Sequence, residues 1–121
     1  KPAIKYITFH DTGNYASGAT AAMHATYIFN SERQRSWHYT VDEKEVIQHV
    51  PDNEVAYHGD AYESYAFSIG IETAINKGSD FFTTWHRAAK FIIKQLNSNQ
   101  LCLQKNSFQT KFSFHLTNPP S

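Results

Sequence analysis

Cysteine is almost missing from this chain: Cys102 stands alone among 121 residues, so no disulfide can close within it and stability has to come from packing. Flanked by Leu101 and Leu103, that thiol reads as buried and without chemistry. Net charge is missing too. Eleven Lys and Arg balance eleven Asp and Glu, and a neutral chain has no long-range field to draw it to nucleic acid or to an anionic membrane. No apolar run approaches a membrane span. No charged-then-apolar leader precedes Ala3, although a chain that begins at Lys1 says little about export. The length suits one domain, residues 1–121, around one core. Aromatics are plentiful at 15%, and tyrosines set among histidines suit sugar or peptide stacking as well as they suit a core.

Alternation in Ile4-Lys5-Tyr6-Ile7-Thr8-Phe9-His10 predicts a strand with Tyr6, Thr8 and His10 on one face and Ile7 and Phe9 on the other, turned by Asp11-Thr12-Gly13-Asn14. His10 then closes the strand and faces the loops. Residues 19–30 carry Ala21, Ala25 and Ile28 at helical spacing behind a Thr20 cap, with His24 as a packing or solvated residue. The polar run 30–36 reads as a loop. Residues 37–42 and 46–50 read as strands of an antiparallel hairpin, joined by Asp42-Glu43-Lys44-Glu45. A tyrosine-rich loop, 54–66, carries His58.

The next strand, 67–75, is the most informative. Phe67, Ile69, Ile71 and Thr73 share one face, and Ser68, Gly70, Glu72 and Ala74 share the other. Small residues around an acid leave room above the sheet, as the floor of a cleft requires. A long helix follows, capped by Ser79 or Asp80, whose apolar stripe of Phe81, Trp85, Ala88, Ile92 and Leu96 is widened by Phe82, Ala89 and Ile93; His86 lies off the stripe. Beyond residue 97 the pattern weakens, and 101–121 shows neither clear alternation nor caps. The whole reads as α/β, a central mixed β-sheet flanked by helices.

Five segments in order, Ile7-Thr8-Phe9-His10-Asp11-Thr12, Ser36-Trp37-His38-Tyr39-Thr40-Val41-Asp42, Val46-Ile47-Gln48, Ala56-Tyr57-His58-Gly59-Asp60 and Ser68-Ile69-Gly70-Ile71-Glu72, together resemble the type 2 N-acetylmuramoyl-L-alanine amidases. That family includes phage endolysins, autolysins and the peptidoglycan-recognition proteins. The resemblance implies a zinc hydrolase acting on bacterial peptidoglycan, outside the cell or in its wall, at the amide between N-acetylmuramic acid and L-alanine. It implies His10 as first zinc ligand and Glu72 as general base or acid. By the same likeness His58 lines a muropeptide groove with Tyr57 as its wall, and Trp37 and His38 are further candidates for substrate contact. A catalytic zinc needs about three protein ligands and one open position, which suits such a set.

The tail departs from the family pattern, which brings a histidine after the long helix and then a Cys or Asp preceded by Lys. Carried forward without gaps, that pattern falls on Thr110, Leu116 and Asn118, none of them suited to those places. A shifted alignment makes His115 the second ligand and leaves the third unassigned. Two readings follow: an amidase whose zinc site is completed by His115 and a further group, or a non-catalytic muropeptide-binding domain with an incomplete zinc site.

Overall fold

A computed structural model describes residues 3–30, 35–58, 62–101 and 112–115, the last four by backbone only. The elements run β1 (Tyr6–Asp11), α1 (Ala21–Asn30), β2 (Tyr39–Val41), β3 (Val46–Gln48), α2 (Tyr62–Ala66), β4 (Ser68–Thr73), α3 (Phe81–Ser98) and β5 (Phe112–His115). One five-stranded sheet has the order β3-β2-β4-β1-β5. It is mixed as expected: β1 pairs in parallel with β4 and β5, β2 in parallel with β4, and only β3 runs antiparallel, beside β2.

The core occupies the sheet face that bears Ile7, Phe9, Tyr39, Val41, Ile69 and Ile71, against Ala88, Ile92 and Leu96 of α3. The β1 and β4 faces therefore divide as their alternation predicts. Asp80 caps α3, its carboxylate accepting the Thr83 N–H at 3.2 Å. The central stripe of α3 lies where it is expected, with Ala88, Ile92 and Leu96 in the core, but the residues expected to widen it do not face the sheet. Phe82 and Ile93 are 81% and 57% exposed, whereas Thr84 and Gln95 are buried and Phe91 packs edge-on to Tyr39. The helix is rolled toward the β2–β3 side because the sheet offers Tyr39 there, and residues three and four apart then carry Thr84, Ala88, Phe91 and Gln95 inward.

A buried carboxylate organises the opposite side. Asp42 accepts the Ala21 N–H at the start of α1 at 2.9 Å, and its other oxygen accepts the Lys44 and Glu45 N–H groups of the hairpin turn at 2.8 Å each. One side chain thus fixes both a helix entry and a turn. Thr20 caps α1 as expected, accepting the Met23 N–H at 3.2 Å.

Three differences from the pattern concern short elements. The 54–66 loop ends in α2, the strand at 37–42 begins only at Tyr39, and the tail that shows no alternation contains β5. Cys102, Thr110 and Asn118 lie outside the described residues.

Gly70 in β4 is required for packing. A Cβ there would lie 2.6 to 2.8 Å from three ring atoms of His58, which is itself 5% exposed and cannot swing away. Gly70→Ala should lower stability in urea unfolding by about 1–3 kcal/mol, and adding His58→Ala should recover part of that loss. Equal losses in the single and double variants would show that the contact is not what restricts the position.

Candidate functional site

The parallel strands β1, β4 and β5 end together, and the register aligns what they carry. His10 is the pairing partner of Glu72 on one side and of His115 on the other. Paired positions of neighbouring strands point to the same face and lie about 4.8 Å apart, so His10 and Glu72 share one face of the sheet at the carboxyl ends of the strands, where open α/β sheets place their ligands. Thr40 of β2 is the partner of Glu72 on its far side. This face is opposite the one covered by α3.

Burial pushes the Glu72 carboxyl up to about 8, the neighbouring Asp11 adds to the rise, and Arg35 opposes it. A carboxyl that holds its proton at neutral pH is suited to exchanging that proton with a reacting group.

The four candidate contact residues have different environments. His38 is fully buried and works within the fold: the Gly70 N–H donates to its Nδ1 at 2.9 Å, so its Nε2–H donates to the Glu54 carbonyl at 2.9 Å. His58 lies edge-on to His38 with ring centroids 5.7 Å apart, and its Nε2 is 3.3 Å from the Ser68 hydroxyl. Trp37 is buried and donates to the Thr40 hydroxyl at 2.6 Å. Only Tyr57, 55% exposed, presents a ring to solvent, and Tyr65 lies 5.6 Å from it to form an aromatic ledge.

The sequence reading overlooked His49. Thr40 accepts the Trp37 indole N–H, and the same hydroxyl shares a hydrogen bond of 2.6 Å with His49 Nε2. Trp37 stands between His24 and His49, 6.1 Å from each ring. Burial drives His49 down to about 4, with repulsion from His24 contributing, and burial lowers His24 as well. The only signal in the sequence was a second histidine just after β3, with no spacing to connect it to Thr40.

Among the described residues no three His, Cys, Asp or Glu side chains converge as a metal cage. The donor chemistry nonetheless suits a zinc ion in part: two histidines sit abreast on adjacent parallel strands, beside a carboxyl group.

The comparisons with known proteins bear on this arrangement. The family model described as N-acetylmuramoyl-L-alanine amidase matches residues 1–107. The chain belongs to the N-acetylmuramoyl-L-alanine amidase family. It is 46% identical over 93 residues to N-acetylmuramoyl-L-alanine amidase XlyA of Bacillus subtilis (strain 168), covering 75% of this chain and 31% of that protein. To amidase CwlH of the same organism it is 39% identical over 106 residues, covering 85% and 42%. The chain thus spans less than half of these curated amidases. The solved catalytic domain of XlyA superposes with a TM-score of 0.81 at 33% identity, covering 93% of this chain and 71% of that one. No helix among the described residues of this family member is long and apolar enough to cross a membrane.

Two titrations check the electrostatics of this amidase-family site. Unfolding lets Glu72 ionise above the ordinary carboxyl value of 4.5, while the folded carboxyl stays protonated to about 8, so folding is penalised as pH rises through that window. In EDTA, Glu72→Gln should therefore raise stability at pH 7 by up to ~3 kcal/mol and have no effect below the unfolded value. No gain would mean that the carboxyl is ionised in the fold. For His49 the sign is opposite: the unfolded chain takes up a proton below 6.5, the folded one only near 4, so stability falls on acidification between them. Allowing for solvent screening, His49→Gln should remove about 1 kcal/mol of that fall, seen as a flatter dependence of melting temperature on pH.

Proposed function

We propose that this chain is a peptidoglycan amidase that hydrolyses the bond between N-acetylmuramic acid and L-alanine with the help of zinc, acting at the bacterial cell wall. The observation that carries this reading is the alignment of His10, Glu72 and His115 at the ends of three parallel strands in a member of this family. His10 and His115 would hold the ion, with a third ligand from outside the described residues. When bound, zinc supplies Lewis-acid polarisation of the amide carbonyl and lowers the pKa of a bound water to about 7.

The chain's own groups perform the proton work. Glu72, as carboxylate, takes the proton of the attacking water while the oxygen of that water bonds to the lactyl carbonyl carbon. It then returns the proton to the nitrogen of L-alanine as the carbon–nitrogen bond breaks, which regenerates the carboxylate. A bound cation would lower the Glu72 pKa from its value near 8 and supply that carboxylate at neutral pH. The ledge of Tyr57 and Tyr65 would stack against the sugar or the stem peptide. His38, His58 and Thr40 hold β4 and β2 in register behind the carboxyl.

Purified protein should contain close to one zinc per chain and clear a suspension of isolated walls. Glu72→Ala should reduce clearing by at least ~100-fold while zinc content and sedimentation with walls stay unchanged. Undiminished clearing in that variant would remove Glu72 from the chemistry. Wall binding without clearing or zinc in the parent protein would favour a muropeptide-binding domain.

A further inference from the structure

The outer side of α3 is charged in a way the cleft does not use. The helix carries His86, Arg87, Lys90 and Lys94 and no acid, although the whole chain is neutral. His86, Lys90 and Lys94 follow one another at intervals of four residues, so they stand in a row about 6 Å apart along the axis, and the two lysines carry its charge. Like charges at this spacing weaken a helix, and nothing in its own sequence offsets them. All three are exposed. Together with Arg87, Val46, Thr83 and Phe91 they line a groove of about 380 Å³ between α3 and the edge strand β3. The guanidinium of Arg87 is held in place, its Nη2 donating to the Glu43 carbonyl at 3.0 Å. Two of the nearby carboxylates are engaged at the helix start: Glu43 accepts the Asp80 N–H at 2.7 Å, and Asp80 caps Thr83.

We propose that this groove docks a phosphodiester polymer of the bacterial wall, a chain of the poly(glycerol phosphate) type, as a surface separate from the cleft. The choice of polymer rests on the amidase reading, which places the protein at the wall; the preference for a polyanion rests on the row of cations alone. Evenly spaced phosphates on a short polyol repeat match a row of cations one helical turn apart, and the apolar floor of Val46 and Phe91 suits the carbon backbone between them. A nucleic acid would need rings to stack its bases, but Phe91, the aromatic in the groove, is turned toward Tyr39 in the core. Because α3 covers the sheet face opposite His10 and Glu72, a polymer held here leaves the cleft open to the glycan.

The test measures binding of end-labelled poly(glycerol phosphate) to the full chain by fluorescence anisotropy, beside digestion of sacculi stripped of anionic polymer. The parent protein should bind the polymer, with affinity falling about tenfold between 50 and 200 mM salt. The double variant Lys90→Glu/Lys94→Glu, altered only at exposed positions, should lose at least about tenfold in affinity while digesting stripped sacculi at the parent rate. No binding by the parent, unchanged binding by the variant, or tighter binding of oligothymidylate than of the polymer would each overturn the docking proposal. Digestion of sacculi without polymer binding would sink this inference and leave the amidase reading intact; polymer binding without digestion would do the reverse.

Discussion

Everything on the cleft side depends on how two histidines grip the backbone of β4 at Gly70. The His38 N–H donates to the Gly70 carbonyl at 3.0 Å while the Gly70 N–H donates back to the His38 ring at 2.9 Å, and the His58 ring fills the space where a side chain would have stood. The strand is thereby tied to the segment leading into β2 through a ring as well as through its ladder. Ser68 and Gly70 must stay small to admit these rings, so Glu72 is the first residue of β4 with reach on that face. Histidines in a sequence of this kind invite assignment as ligands. Here two buried ones build the floor from which a carboxyl group projects.

That floor also explains the electrostatic character of the site. Glu72 is held protonated by burial, and His24 and His49 are held neutral by burial on the neighbouring side of Trp37. Asp11 and Arg35 are the charges that act on Glu72, and a cation placed at His10 would add a strong third. Charge is concentrated elsewhere, on the outward row of α3, with the sheet between the two regions.

Much of this was legible in the residues. Strict alternation in β1 and β4 assigned their faces, because a period of two is unambiguous when one face is Ile and Phe and the other is Ser, Gly and Glu. Asp42 and the charged turn marked the hairpin, and Thr20 and Asp80 marked helix starts. What failed was what depends on partners distant in sequence. Phe82 and Ile93 look like core at helical spacing, and only the roll of α3 toward Tyr39 exposes them. Trp37 and His49 meet through Thr40, a contact no local pattern encodes. β5 has four residues between segments of weak pattern, and its place is set by β1 far away along the chain.

The position of β5 has a consequence for the order of assembly. His10 and His115 stand more than a hundred positions apart in the sequence, yet they are pairing partners on neighbouring strands of one ladder. Closing so long a loop is entropically slow compared with forming the hairpin or the helices. A growing chain would hold its carboxyl and its first imidazole in place long before the second arrives. The edge of the sheet beside β1 is thus the last of its borders to zip shut, and the row of paired positions at His10 is complete only then.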